Sequence, residues 1–192
     1  MKKSLGAKPI VYPTPVFLVG SYDVDGVANI MNAAWGGICS SEPASIAVSV
    51  RQQRHTFDNI QLQKAFTINI PNTDQAAEAD YFGIVSGRDG NKISASGLSV
   101  ERAEYVNAPI LCECPLVLEC RLITAHALGA HTQFIGEIMD VKVEEECLDE
   151  SGQPDIRKVA PLLFAPGNCA YFGVGDYVAQ AFSVGVAFRK RG

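Results

Sequence analysis

Residues 45–60 read SIAVSVRQQRHTFDNI, and the repeat of the pattern changes halfway along. Ile46, Val48 and Val50 alternate with small residues, as in a strand with one buried face. Beyond the arginines the spacing becomes helical: Phe57 and Ile60 stand three apart, and Thr56 is placed to cap a helix over Phe57–Lys64. A strand, a polar loop and a short helix are therefore expected in sequence. The same two-residue repeat recurs at Phe66, Ile68 and Ile70, at Leu116, Leu118, Cys120 and Leu122, and at Phe182, Val184, Val186 and Phe188. Val16–Val19 and Val27–Ala33 read as strands joined by a turn at Tyr22–Gly26, and Glu137–Glu146 as a long strand. Asn72, with Gln75 three residues on, opens a second helix running to Val85, with Gly87 beyond its end. Strands with one polar face dominate, which favours an antiparallel barrel or sandwich over a parallel sheet. No repeat or linker divides residues 1–192, so one domain is expected, with the acidic stretch 145–158 as an exposed loop.

Composition narrows the function classes. With 47% hydrophobic and 19% charged residues, the chain can bury a sizeable core, and its charged fraction is below the roughly 25% usual for soluble domains. That deficit points to surface covered by a partner subunit. A formal net charge of -5 offers no broad basic face for nucleic acid. Pro9, Pro13 and Pro15 interrupt the N-terminal apolar residues, and no run reaches the roughly 18 apolar residues of a membrane span. A cytoplasmic protein is expected. Six cysteines without zinc-finger spacing read as free, mostly buried thiols.

Three segments carry chemistry. Arg51-Gln52-Gln53-Arg54-His55-Thr56 lies where a strand meets a helix start, and free amides there attract anions. Two arginines, an imidazole and a hydroxyl make a compact phosphate clamp; the plainer alternative is a solvated loop capped by Thr56. Ser86-Gly87-Arg88-Asp89-Gly90-Asn91-Lys92 is a turn after the second helix. From it Lys92 could meet a ligand carbonyl or ring nitrogen. Gly129-Ala130-His131 sets a histidine at the head of a strand. No Walker loop, GxGxxG turn, GxSxG elbow or histidine–carboxylate metal set is present. Finally, Asn29-Ile30-Met31-Asn32-Ala33-Ala34-Trp35 sets small and amide residues beside the only tryptophan, where a core strand would carry bulkier ones.

Taken in order, SYDVDGVANIMNAAW, SIAVSVRQQRHTFDNI, FTINIP, YFGIVSGRDGNK and GAHTQFIGEI resemble the flavin reductase-like family, flavoredoxin-type proteins in particular. The likeness covers roughly residues 10–188. It implies a mainly β fold, an antiparallel Greek-key split β-barrel with short flanking helices, which binds FMN and forms homodimers. By the resemblance, Asn29, Asn32, Ala33, Ala34 and Trp35 lie along the flavin ring, with Trp35 either a pocket wall or a dimer-interface anchor. Arg51, Arg54, His55 and Thr56 take the phosphate, while Ser86, Gly87 and Lys92 close over the flavin, Lys92 toward N1/O2. His131 is the candidate catalytic residue and Phe164 a flavin neighbour. The family's reductases read Gly-Asp-His where this chain has Gly129-Ala130-His131, so NAD(P)H stands only as a candidate reductant. Electron transfer or flavin-dependent reduction, with a small-molecule or protein donor or acceptor, is the expected function. A reductase using flavin as a dissociable substrate and a non-catalytic flavin-binding module are the alternatives.

Overall fold

The computed structural model describes residues 1–191. β1 (Thr14–Pro15) leads into β2 (Phe17–Tyr22) and β3 (Ala28–Ala33). The turn between β2 and β3 is held by Asp23, whose Oδ1 accepts from the amides of Asp25 and Val27 at 2.9 and 2.8 Å. Then follow β4 (Gly36–Ser41), β5 (Ala44–Arg51), α1 (His55–Gln63) and β6 (Ala65–Ile70). A 3-10 turn at Thr73–Gln75 opens α2 (Ala76–Ile84), followed by α3 (Lys92–Ser96), β7 (Val100–Arg102) and β8 (Pro109–Leu111). β9 (Leu116–Leu128) and β10 (His131–Val143) form a long hairpin. Last come α4 (Ile156–Val159), β11 (Leu163–Ala165), β12 (Ala170–Phe172) and a 3-10 segment at Val184–Arg191.

Seven strands form one sheet in the order β3-β2-β6-β9-β10-β5-β4, every neighbouring pair antiparallel. β3 and β4 stand at opposite ends of that order, yet only Ala34 and Trp35 separate them in the chain. The sheet must therefore curl until its ends meet. Ser49 N donates to Trp35 O at 2.8 Å, extending the β4–β5 ladder by one residue into that connection. Gly36 sits there because a Cβ would lie 2.6 Å from Ala47 O and 2.7 Å from the Phe17 ring. Barrel closure thus accounts for much of the small-residue run: Ala33 belongs to the barrel core with Phe17, Val48, Phe66 and Phe134.

Alternation on β2 and β3 feeds two cores. Val19 and Met31 point into the barrel, while Leu18 and Ile30 pack outward against Ala79 and Phe82 of α2. Full burial of such side chains contributes about 1.5–3 kcal/mol each. The Asn72–Gln75 capping box forms as expected, Gln75 Oε1 accepting from Asn72 N at 2.9 Å. Among the described residues no helix is long and apolar enough to cross a membrane.

Several expectations are corrected. Residues 182–188 form no strand: Val184 starts a 3-10 helix, and Phe182, Val184, Val186 and Phe188 are all exposed. Period-two alternation makes a strand only where a ladder partner lies alongside. β10 runs His131–Val143 rather than Glu137–Glu146, because pairing with β9 fixes its ends. Residues 145–158 carry a 3-10 turn at Glu145–Cys147 and α4, capped by Asp155, not a bare loop. The six cysteines are free, but only Cys114, Cys120 and Cys147 are buried. Burial pushes the Cys114 thiol up to about 12, with the Glu113 charge adding to it, which keeps it unreactive.

Candidate functional site

The end of β5 and the start of α1 build a cleft. Helix α1 begins two residues earlier than its sequence suggests, with Arg54 as the N-cap in extended conformation and no side chain capping the first amides. Thr56 is not the cap. It is buried within the first turn, where its Oγ1 accepts from Asn29 Nδ2 at 2.8 Å. The leading amides of α1 are thus left without a side-chain acceptor beside an arginine, an arrangement that favours anions.

Three further groups converge on this cleft. His55 is half-buried, its Nε2 3.7 Å from Asp23 Oδ2. Lys92, read from the sequence as a turn residue able to meet a ligand, is buried at the start of α3. Its Nζ donates to Val85 O at 3.0 Å and Phe82 O at 3.3 Å, and lies 5.8 Å from the Phe82 ring centroid. It satisfies carbonyls at the C-terminal end of α2, a natural place for a cation. Burial lowers its pKa to about 8, and repulsion from Arg54 adds to this. Asn29, Ser86 and Gly87 complete the lining, with Met31, Phe82 and Val85 beneath. So Asn29, Arg54, His55, Thr56, Ser86, Gly87 and Lys92 stand together, drawn from four separate segments. Lys92 is grouped with the residues expected at the phosphate rather than on a ring edge of its own.

The residues suit a phosphate-bearing polyol. Asn29 Oδ1 is buried with no hydrogen-bond partner, and such an orphan acceptor calls for an incoming hydroxyl. Gly87 packs its backbone directly against this oxygen: a Cβ there would collide with Asn29 Oδ1 and come 3.2 Å from the His55 ring. Uncapped amides, Arg54 and Lys92 provide the charge for a phosphate. The cleft is nonetheless nearly closed, at about 10 Å³, room for roughly one water.

The other expected residues lie elsewhere. Asn29 and Asn32 point to opposite faces of β3; Asn32 Nδ2 donates to Ala79 O at 2.8 Å and Tyr171 Oη at 3.3 Å. Tyr171 donates in turn to Asp80 Oδ1 at 3.0 Å, and burial, helped by Asp80, pushes its hydroxyl up to about 12. Phe164 packs on the Tyr171 ring at a centroid distance of 5.7 Å and lines a separate apolar pocket of about 640 Å³ with Tyr12, Leu163 and Phe172. Ala34 and Trp35 are half-buried at the barrel seam, and Arg51 is exposed. His131 faces Arg51 across the β10–β5 ladder and does not line the cleft. Sequence reasoning missed Asp23, Arg88 and Tyr171 as neighbours of these groups. Asp23 carried a readable turn signal and Arg88 lay within the singled-out turn at 86–92, whereas nothing local marked Tyr171.

A family model for the flavin reductase like domain matches residues 10–173. The chain is 52% identical to the flavoredoxin of Desulfovibrio vulgaris (Miyazaki F), with a TM-score of 0.93 over 96% of this chain and 100% of that one. A flavoredoxin of Methanosarcina acetivorans is 32% identical, with a TM-score of 0.91 over 98% and 99%. An FMN-binding protein of Thermus thermophilus is 25% identical, with a TM-score of 0.79 over 94% and 98%. The fold is accordingly a mainly β, antiparallel split barrel with short flanking helices.

Proposed function

The chain belongs to the flavin reductase-like family, and from that premise we propose that it is an FMN-binding flavoprotein of the flavoredoxin kind. It works in electron transfer or flavin-dependent reduction, as a cytoplasmic homodimer serving a small-molecule or protein partner. The observation that carries this reading is the cleft at the start of α1, where uncapped amides, Arg54 and Lys92 surround the unpartnered Asn29 Oδ1.

Bound FMN would supply both hydride and single-electron chemistry. The chain's own residues bind and orient. Arg54 and the leading amides of α1 hold the phosphate, and Lys92 adds a charge already fixed against two carbonyls. Asn29 Oδ1 accepts from a hydroxyl of the sugar chain, and Thr56 keeps the Asn29 amide turned so that this oxygen faces the cleft. β3 then leads three residues on, about 10 Å, to Asn32 and the Phe164–Tyr171 pair, an aromatic wall toward the ring.

Titrating purified protein with FMN and with riboflavin, followed by flavin fluorescence, tests the reading. FMN should bind at least about tenfold more tightly, since charge-assisted hydrogen bonds to a phosphate are worth about 1.5–3 kcal/mol. Equal affinities would end the phosphate assignment. Flavin retained through desalting would favour a resident group over a dissociable substrate.

A further inference from the structure

Arg88 sits in the loop between α2 and α3, and its guanidinium is already engaged. Nη1 donates to Gln53 O and Nη2 to Asp58 Oδ2, both at 2.7 Å. These acceptors flank the start of α1, Gln53 just ahead of the N-cap and Asp58 in the first turn. The loop is otherwise held by local bonds, Arg88 N to Ser86 Oγ at 3.2 Å and Asp89 N to Ser86 O at 3.1 Å. One side chain therefore fastens the loop across the helix end and seats Gly87 against Asn29 and His55.

Fastened in this way, the loop leaves a cleft of about 10 Å³. A phosphate is larger than a single water, so the loop must lift for it to enter. We propose that Arg88 is the latch of this loop and a positioning residue of the anion cleft. It holds Ser86 and Gly87 over the phosphate and sets how fast a phosphorylated flavin leaves. Pairing with Asp58 has a second consequence. Asp58 lies in the first turn of α1, where its unpaired charge would oppose an anion, and the guanidinium offsets it. The proposal rests on the reading of the cleft as a phosphate site, and the measurements separate the two.

Dissociation of FMN and of riboflavin from the full chain is followed by stopped-flow fluorescence for wild type, Arg88→Ala, Arg88→Lys and Arg88→Ala/Asp58→Asn. Amide hydrogen exchange of residues 86–91 is recorded without flavin. Arg88→Ala should release FMN about three- to tenfold faster, the scale of a solvent-exposed ion pair with one added hydrogen bond. It should raise exchange in the loop while leaving the melting temperature and riboflavin affinity in place. Arg88→Lys, which cannot span both acceptors, should fall between. Adding Asp58→Asn should recover part of the FMN affinity but not the slow release. Release of FMN at the wild-type rate from Arg88→Ala would overturn the latch and leave the phosphate site standing. A wild-type release rate regained with Asp58→Asn would also overturn it, reducing Arg88 to a charge screen. A wild-type protein without preference for FMN over riboflavin would overturn site and latch together.

Discussion

The cleft at the start of α1 holds about 10 Å³ between Arg54, Gly87 and Lys92, whereas the pocket beside Phe164 opens to about 640 Å³ between Tyr12, Leu163 and Phe172. The first is small, cationic and lined by groups with unspent hydrogen-bonding capacity. The second is wide and mostly apolar, and the Asn32–Tyr171–Asp80 network near its Phe164 wall is already hydrogen-bonded within the chain. Volume alone would choose the pocket, but specificity resides where polar groups converge without internal partners. The difference suggests a division of labour in which the cleft anchors a charged end and the pocket receives a flat apolar one.

Filling the cleft is the harshest way to break that division. Gly87→Val should lower FMN affinity by about fivefold to 150-fold, since overpacking of about 1–3 kcal/mol falls directly on Asn29 and His55. Normal FMN binding by a folded Gly87→Val protein would move the site elsewhere. Arg54→Ala should cost FMN about tenfold and riboflavin almost nothing, as equilibrium titration of the two flavins would reveal.

A subtler test uses acidity. Burial, with repulsion from Arg54, lowers the Lys92 pKa to about 8, and a bound anion favours its ammonium form. Below pH 8 the charge is already present. Above it, binding must take up a proton, so FMN affinity should fall as pH rises, by at most about tenfold per unit. Lys92→Met should lower the affinity at pH 7 and flatten the profile. The smallest effect belongs to the pocket: Phe164→Ala should weaken FMN and riboflavin alike, by about threefold. No loss for either would separate the pocket from the flavin altogether.

Much of the barrel could be read from one dimension. Ile46, Val48 and Val50 announced β5, and Phe66, Ile68 and Ile70 announced β6, because a sheet buried on one face imposes a two-residue period on the chain itself. The Asn72–Gln75 capping box was equally legible, since both partners lie within one turn. Phe182–Phe188 shows the limit of that signal, for the same alternation there met no ladder and formed a 3-10 segment. At the cleft, Arg54, His55, Thr56 and Gly87 stood out as residue types suited to an anion. Their roles shifted once neighbours arrived: Thr56 became the partner of Asn29 rather than a cap, and Lys92, read as a turn residue reaching for a ligand, became a buried cation tied to two carbonyls.

The sequence by itself determined the strand and helix periods, the capping at Asn72 and the family resemblance, because each is carried by residues close together in the chain. Tertiary structure alone decided the rest. It set β3 and β4 at opposite ends of one sheet although only Ala34 and Trp35 join them, and it spent Asn32 on Tyr171. It also left Asn29 Oδ1 unpartnered and tied Arg88 to Asp58 across the helix start. Those outcomes join residues up to 139 positions apart. Burial and hydrogen-bond satisfaction are properties of the folded neighbourhood, which no local pattern encodes.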